Sequence, residues 1–304
     1  MDILRVGLSI FLAWLGLLLS AVTWAFPYRT DAPQTATFRP DDSAQRFYNL
    51  SYAEQKREMQ YVGFARSAAK AHNVPETVGE FISRYQLQDA HILEIGAGSG
   101  LLQDEVQDYT GLDISATASR FFHKPFVQAD ARSMPFRDGE FDAVWSIWVL
   151  EHVPNPEQAL REMRRVVKPN GLLFLMPTWL CSPLSAQGYH IRHYTDLGVI
   201  GGAMKASGLI TEAPLFRAVT LISIRALRRA ALTVPHQSSL HYRALTPNYD
   251  HYWEPDSDAV NSLDAYEAYL WFKSRGDVCL NCDEKEMVWT GYEKPLIVRI
   301  KPTR

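Results

Sequence analysis

The sequence predicts an α/β protein with a mostly parallel sheet and helices on both of its faces. Short apolar runs typical of buried strands recur from residue 90 onward, helical patterns separate them, and a glycine-rich loop follows the first run. The chain has 304 residues, 47% of them hydrophobic, and a net charge of −3. It is long enough for one large domain with additions or for two small domains. Because it has no basic run, it is not expected to bind nucleic acid.

The N-terminus carries an uncharged apolar run, Val6–Phe26. A helix of this length spans a hydrocarbon core of roughly 30 Å. We therefore predict a transmembrane anchor over residues 1–26, with membrane contact through residues 3–26. The alternative is a cleaved signal peptide, with Arg5 as its basic start and the small-residue site "TWA". We favour the anchor because the run is longer than a signal-peptide core and contains two tryptophans.

Three further segments are expected after the anchor. Residues 27–42 are rich in proline and threonine and predict a linker. Residues 43–213 should hold two helical stretches followed by the sheet domain. Residues 214–304 should form an insertion subdomain on the acceptor side, followed by the final strand.

Five strands and two helices are expected in the sheet domain, in a fixed order. The strands are "HILEIG", "YTGLDIS", "FFHKPFVQAD", "FDAVWSIWVLEHV" and "GLLFLMP". A short helix, "LLQDEVQDY", should follow the glycine loop. The amphipathic "PEQALREMRRVVK" is a second helix, which the following "PNG" ends.

The loop "EIGAGSG" places Gly96, Gly98 and Gly100 on alternate positions directly after the first strand. In parallel sheets ligands bind at the carboxyl ends of the strands, and glycines let the backbone approach a ligand closely. The spacing differs from the G-x-G-x-x-G pattern that binds a dinucleotide pyrophosphate. Glu94, just ahead of the loop, suits a ligand that carries positive charge.

Two aspartates end the next two strands. Asp113 closes the second strand, where a carboxylate can accept both hydroxyls of a ribose. Asp130 closes the third, where a carboxylate beside a backbone amide can read an adenine edge. Either one alone could be a strand-end cap, but the two in register favour a nucleoside site.

With these motifs in order, the segment from Ala90 to Leu209 resembles the class I S-adenosylmethionine-dependent methyltransferases of the type 11 group. The motifs are "LEIGAGSG", "GLDIS", "QADARSMPF", "FDAVWSIWVLEHVPNP", "VVKPNGLLFLMP" and "HIRHYTDLGVIGGAMKASGL". The resemblance implies a doubly wound, seven-stranded, Rossmann-like sheet and S-adenosyl-L-methionine as cofactor. In that family the last two strands form an antiparallel hairpin, here expected from "ITEAPLFRAV" and "PLIVRIK".

The resemblance also implies a set of cofactor-binding residues. The glycine loop would pack on the methionine part of the cofactor, Asp113 would bind the ribose, and Asp130 with the Ala131 amide would bind the adenine. The set comprises Glu94, Gly96, Ala97, Gly98, Gly100, Asp113, Ile114, Asp130, Ala131 and Ser146.

The expected reaction is methyl transfer to a small-molecule or lipid-linked acceptor. A hydroxyl acceptor would need a general base, for which His152 and His190 are the candidate catalytic residues; an acidic enol, phenol or amine would not. Tyr48 and Tyr61, together with the insertion, are candidates for the acceptor pocket. The aromatic residues of the insertion are equally consistent with the core of a capping subdomain.

Two other functions are considered. One is a non-catalytic binding subunit of a membrane assembly that keeps the methyltransferase fold; the other is a nicotinamide-dependent dehydrogenase, against which the glycine spacing argues. Because the cofactor is made in the cytosol, a single-pass protein should place its catalytic domain on the cytoplasmic side.

The three cysteines do not suggest a disulfide framework. Cys279 and Cys282 form a C-x-x-C pair, which lacks the other two ligands of a tetrahedral zinc site. We expect two free thiols and no metal.

Overall fold

A computed structural model describes residues 5–11, 13–14, 28–29, 42–53, 55–231, 238–289 and 294–302. The chain divides into two compact units. The sheet unit comprises Asp31–Thr178, Arg275–Asn281 and Lys294–Arg304; the helical unit comprises Met1–Thr30, Trp179–Ser274 and Cys282–Glu293. The expected boundary at residues 213/214 falls inside the helical unit.

The strands are numbered in chain order. They are β1 (Tyr28–Arg29), β2 (Ile92–Ile95), β3 (Tyr109–Asp113), β4 (Phe126–Gln128), β5 (Phe141–Ile147), β6 (Val167–Met176), β7 (Tyr242–Ala244), β8 (Asn261–Leu263), β9 (Val278–Cys279) and β10 (Leu296–Arg299).

The α-helices are numbered in the same way. They are α1 (Asp42–Ala53), α2 (Gln55–Ala71), α3 (Val74–Tyr85), α4 (Pro156–Val166), α5 (Val199–Thr211), α6 (Pro214–Ala231), α7 (Ala265–Ser274) and α8 (Glu284–Trp289).

The sheet unit contains a seven-stranded sheet in the order β4-β3-β2-β5-β6-β10-β9. Strands β2 to β6 are parallel, and β10 runs antiparallel to both β6 and β9. All residues of β2 and β3 are buried, as expected for strands covered on both faces. The predicted α/β class and the mostly parallel seven-stranded sheet are confirmed.

The helix expected after the glycine loop does not form, because residues 101–108 make turns. The Gln103 side-chain amide donates to the carbonyls of Gly100 and Phe121, and its oxygen accepts from the His123 amide. The Gln103 side chain thereby ties this turn to residues 121–123. By contrast, α4 forms, but it ends at Val166, two residues before the predicted end, and the "PNG" segment lies within β6. The helix buries Ala159, Leu160, Met163 and Val166 along one face.

The helical unit holds α5 to α8 and a three-stranded sheet in the order β1-β7-β8. The strand expected at "ITEAPLFRAV" is wrong: this segment ends α5 and begins α6. Thr220 and Ile224 of α6 are buried one helical turn apart, and the Thr220 hydroxyl donates to the Phe216 carbonyl four residues earlier, as in a helix. The antiparallel neighbours of β10 are β6 and β9 instead.

Most of the predicted anchor over residues 1–26 lies outside the described residues, as does nearly all of the linker over 27–42. Residues 5–11 and 13–14 are helical. Among the helices that the structure describes, none alone combines the length and apolarity needed to cross a bilayer. Residues 199–211 and 214–230 meet that test only as a pair, which is bent by 71°.

The cysteines differ from expectation. Cys279 and Cys282 are disulfide-bonded, so the prediction of free thiols at these positions is wrong. Cys181 is a buried free cysteine.

Candidate functional site

A cavity lies at the carboxyl ends of β2, β3 and β4, where the predicted motifs meet. It encloses about 660 Å³, part of it open to solvent. The lining residues come from α1, α2 and the loops after the strands: Ala44, Tyr48, Tyr52, Tyr61, Gly96, Leu112, Asp113, Ile114, Ala129, Asp130, Ala131, Arg132, Trp148, Val149, His152, Val153 and Pro154.

The glycine loop turns at the end of β2. The Gly96 and Ala97 amides donate to the Leu112 carbonyl at 2.8 and 2.9 Å, which holds the loop against β3. Gly96 has a φ of +71°, and a Cβ there would lie 2.1 Å from Val149 Cγ2. Gly98 has a φ of +50°, and a Cβ there would lie 3.0 Å from the Tyr52 hydroxyl. Both positions therefore favour glycine.

Asp113 is buried at the tip of β3. Its Oδ2 accepts the Gly98 amide at 2.9 Å, and its Oδ1 accepts the Ser115 amide at 2.8 Å. Burial raises the pKa of Asp113 to about 6, and the backbone hydrogen bonds counter part of that rise. Each oxygen keeps a further lone pair, so the carboxylate can still accept hydroxyl donors from a ligand.

Glu94 is buried within β2, where the Tyr109 hydroxyl donates to its Oε2. Burial raises the pKa of Glu94 to about 8, although the hydrogen bond from Tyr109 opposes the rise. The Coulombic effect of Asp113 adds to it. A cation near these two acids would restore the ionised form of Glu94.

Asp130 follows β4 and accepts two side-chain bonds from Arg132. Arg132 Nε lies 3.0 Å from Oδ1, and Nη2 lies 2.8 Å from Oδ2. The Arg132 amide also donates to Oδ1 at 2.8 Å. Ala131 lies between the two and lines the cavity.

A wall of tyrosines closes another side of the cavity. Tyr48, Tyr52 and Tyr61 line it, and their rings meet edge to face at centroid distances of 5.8 Å (Tyr52–Tyr61) and 6.1 Å (Tyr48–Tyr61). The His152 ring lies 6.3 Å from the Tyr48 ring in the same arrangement. His152 Nε2 is 4.0 Å from Glu151 Oε1, and that carboxylate accepts the Thr178 amide.

The segment that contains the strand ends around this cavity matches a known protein family. Residues 93–175 match the family model described as "Methyltransferase domain". An uncharacterized methyltransferase of Mycobacterium tuberculosis is 33% identical over 132 residues, covering 40% of this chain and 50% of that protein. Residues 93–175 form a class I methyltransferase domain.

Two other relatives match over different lengths. A ubiquinone biosynthesis O-methyltransferase of Albidiferax ferrireducens is 27% identical over 191 residues, covering 57% of this chain and 70% of that protein. A tocopherol O-methyltransferase of Arabidopsis thaliana is 37% identical over 87 residues, covering 29% of this chain and 25% of that protein. The chain spans half the length or less of the first curated relatives that it matches.

The cofactor of this methyltransferase domain is S-adenosylmethionine, and the residues present fit it. The Asp113 carboxylate can accept further hydrogen bonds from a ligand in the cavity. Gly98 has no side chain, and a Cβ there would fill the space beside the Tyr52 hydroxyl. Glu94 and Asp113 are buried acids with raised pKa values, and of the two Asp113 lines the cavity. A carboxylate acceptor beside a glycine loop fits a nucleoside ligand.

The predicted site residues fall into three groups. Five predicted cofactor-binding residues line the cavity: Gly96, Asp113, Ile114, Asp130 and Ala131. Ala97, Gly98 and Gly100 form the loop beside them, while Glu94 and Ser146 are buried in β2 and β5. The candidate base His152 also lines the cavity.

His190 belongs to the helical unit and is bound by two acids. Its Nδ1 lies 2.9 Å from Glu254 Oε2, and its Nε2 lies 2.9 Å from Glu212 Oε2. Burial lowers the pKa of His190, but the two glutamates outweigh it and the net pKa is raised. In this setting the imidazolium is favoured, and a protonated ring cannot accept a proton.

Sequence reasoning missed Arg132 and Tyr52. Arg132 could have been predicted, because an arginine two positions after Asp130 can fold back and pair with the Asp130 carboxylate. Tyr52 lies one helical turn after Tyr48, so the two share a face of α1. Tyr266, Trp271 and Phe272 of the predicted insertion are buried within the helical unit, which favours the capping-subdomain interpretation.

Proposed function

We propose that the protein catalyses methyl transfer from S-adenosylmethionine to a small, lipid-soluble or lipid-linked acceptor. The observation that carries the proposal is the cavity that brings Asp113, the glycine loop and the tyrosine wall together at the strand ends. When bound, the cofactor supplies an electrophilic methyl group. The residues of the chain would hold the two reactants in line, which is the main source of catalysis in such a transfer.

Each residue has a proposed role. Asp113 accepts the ribose hydroxyls, Asp130 accepts the adenine amino group, and Glu94 balances the positive charge of the donor. The tyrosines present apolar rings and polar hydroxyl groups to the acceptor. Relatives named for sterol, tocopherol and ubiquinone chemistry support a lipid-soluble acceptor.

His152 is the proposed general base for a hydroxyl acceptor, because it is the candidate histidine that lines this cavity. His190, the second candidate, is held by two glutamates. His152→Ala should lower kcat and leave affinity for the demethylated cofactor unchanged. An unchanged kcat would mean that the acceptor needs no base.

The central test measures binding and turnover separately. Calorimetry with S-adenosylhomocysteine tests binding, and a labelled methyl group followed into membrane and soluble extracts tests transfer. Asp113→Ala should abolish both, whereas Asp108→Ala, at an exposed position of the same unit, should change neither. Binding without transfer to any extract would favour a non-catalytic binding subunit. Undiminished binding by Asp113→Ala would refute the ribose assignment.

The proposed location is a membrane, with residues 3–26 as a single-pass anchor and the catalytic domain on the cytoplasmic side. The uncharged run Val6–Phe26 and the cytosolic origin of the cofactor support this location. Alkaline extraction should leave the protein in the membrane, and protease added to the cytoplasmic side should digest the sheet unit. Release by alkali would count against the anchor.

A further inference from the structure

Helix α5 presents an apolar face to the exterior of the helical unit. Val199 is 92% exposed, Ile200 81%, Leu209 78% and Ile210 60%, and no residue of α5 is buried. Large apolar side chains in such a group mark an interaction surface rather than the ordinary scatter of single exposed residues. We call these four residues, with Leu215 at 77% in α6, the apolar hairpin face.

The single charge on α5 is directed inward. Lys205 Nζ donates to the carbonyls of Tyr189 and Arg192, both at 2.7 Å, and lies 5.2 Å from the centre of the Tyr194 ring. The lysine therefore satisfies backbone acceptors of its own unit. The outer side of α5 is left without a charged group.

The charges of α5 and α6 are all positive. Neither helix contains an aspartate or a glutamate, while α6 carries Arg217, Arg225, Arg228 and Arg229. Arg225, Arg228 and Arg229 each pair with a carboxylate of the same unit, those of Asp264, Glu267 and Glu284. Arg217 is exposed, two residues after Leu215. Glu212, between the helices, is bound to His190 and to the Ser182 hydroxyl. An apolar face beside an exposed arginine complements an anionic lipid surface.

The geometry favours a position in the interface over a span. The 13 residues of α5 measure about 20 Å, shorter than the roughly 30 Å hydrocarbon core. The 71° bend between the helices prevents them from acting as one straight rod. Two short helices meeting at such an angle can lie along a membrane surface.

The start of the chain is tied to the same unit. Strand β1 pairs antiparallel with β7, with Tyr28 opposite Arg243 and Arg29 opposite Tyr242. The predicted anchor ends two residues earlier, at position 26. An anchor in the bilayer would thus hold the helical unit close to the membrane surface.

We infer that the apolar hairpin face inserts into the interfacial layer of a membrane that contains anionic lipid. It is a second membrane contact, separate from residues 3–26, and it holds the helical unit flat on the surface. The inference does not depend on methyl transfer, because the experiment that tests it measures only contact with lipid.

The test uses the full chain in vesicles of phosphatidylcholine and phosphatidylglycerol. Ile200→Cys and Leu209→Cys, each in a Cys181→Ser background, carry an environment-sensitive dye. Phe64→Cys is the matched control, because Phe64 is an exposed apolar residue on helix α2 of the sheet unit. Lipids with brominated tails should quench the dye at positions 200 and 209 and leave it unquenched at 64. Equal quenching at all three positions, or at none, would overturn the inference.

Two further outcomes separate lipid from protein as the occupant. Replacing phosphatidylglycerol by phosphatidylcholine alone should weaken the quenching at position 200, because Arg217 then loses the anionic headgroups. Val199→Glu should abolish it without changing the melting temperature, since that side chain is fully exposed. If the dye at position 200 were shielded in detergent without lipid, and if copies of the chain could be crosslinked there, the face would be an interface between two chains. That result would refute the lipid contact.

Discussion

Asp130 and Arg132 form a two-pronged ion pair at the wall of the cavity, with the guanidinium Nε and Nη2 on the two carboxylate oxygens. Only 4% of the Arg132 side chain and 13% of the Asp130 side chain are exposed. The third guanidinium nitrogen, Nη1, donates to the Pro154 carbonyl at 3.2 Å. Arg132 thus links the loop after β4 to the loop after β5, and it fixes the orientation of the acid assigned to adenine.

Arg132→Met should therefore weaken both the fold and the site. Removing one partner of a buried ion pair costs about 3–5 kcal/mol, because the other charge stays buried. We expect the free energy of unfolding to fall by about 3 kcal/mol and affinity for S-adenosylhomocysteine to fall at least tenfold. Denaturant titration and calorimetry measure the two effects. The matched control is Arg137→Met, whose guanidinium is 91% exposed beside Glu140 and should change neither quantity.

Gly96→Ala should disrupt the site more than a glycine-to-alanine substitution elsewhere in the loop. The φ of +71° is unfavourable for alanine, and the new Cβ would lie 2.1 Å from Val149 Cγ2. We expect loss of cofactor binding in calorimetry and a lower melting temperature. Adding Val149→Ala should remove the clash but not the backbone strain, so recovery should be partial.

Gly79→Ala is the control for that prediction. Gly79 lies inside α3, and a Cβ there meets nothing within 4 Å. This substitution should raise the free energy of unfolding by about 0.5–1 kcal/mol. If Gly96→Ala binds the cofactor as the unsubstituted chain does, the assignment of the loop is incorrect.

The strand-end site was largely predictable from sequence because it depends on local order along the chain. Gly96, Asp113 and Asp130 each follow an apolar strand, and parallel strands bring their carboxyl ends to one edge. The pairing of Asp130 with Arg132 was not predictable in the same way. It depends on the side-chain rotamer of Arg132 and on the position of Pro154, which is distant in sequence.

Outside the parallel sheet, local patterns were a weaker guide. The strand expected at "ITEAPLFRAV" came from the family resemblance and not from the residues themselves, and this segment ends α5 and begins α6. A turn replaced the helix predicted after the glycine loop, and there the Gln103 side-chain amide donates to the carbonyls of Gly100 and Phe121. A contact with Phe121, 18 residues further along the chain, is not visible in a local pattern.

Glu94 should make stability depend on pH in a definite direction. Its pKa rises from 4.5 to about 8 on folding, so between these values the folded chain holds a proton that the unfolded chain has released. The free energy of unfolding therefore falls as pH rises from 4.5 to 8, by at most about 1.4 kcal/mol per pH unit from this group. Glu94→Gln removes that contribution and should flatten the profile.

Denaturant titrations at several pH values measure this effect, with Glu80→Gln, at an exposed position of α3, as the control. Parallel pH profiles for Glu94→Gln and the unsubstituted chain would contradict it. The same group links binding to protons: a cationic ligand should release a proton from Glu94 at neutral pH. Calorimetry in buffers of different ionisation enthalpy should detect that release in the unsubstituted chain and not in Glu94→Gln.

His190 should stabilise the helical unit chiefly at low pH. Its pKa is raised on folding because Glu212 and Glu254 each accept a hydrogen bond from the ring. For a base with a raised pKa, the stabilisation is fully present below the unfolded value and is lost as pH rises through the folded value. His190→Ala should therefore lower the melting temperature more at about pH 5 than at about pH 9.

The matched control for His190 is His123→Ala. His123 Nε2 also lies 2.8 Å from a carboxylate, that of Asp104, but both side chains are mostly exposed to solvent. Water screens such a pair, so its loss should have little effect at either pH. If His190→Ala lowered the melting temperature equally at both pH values, the imidazolium would not be the stabilising form.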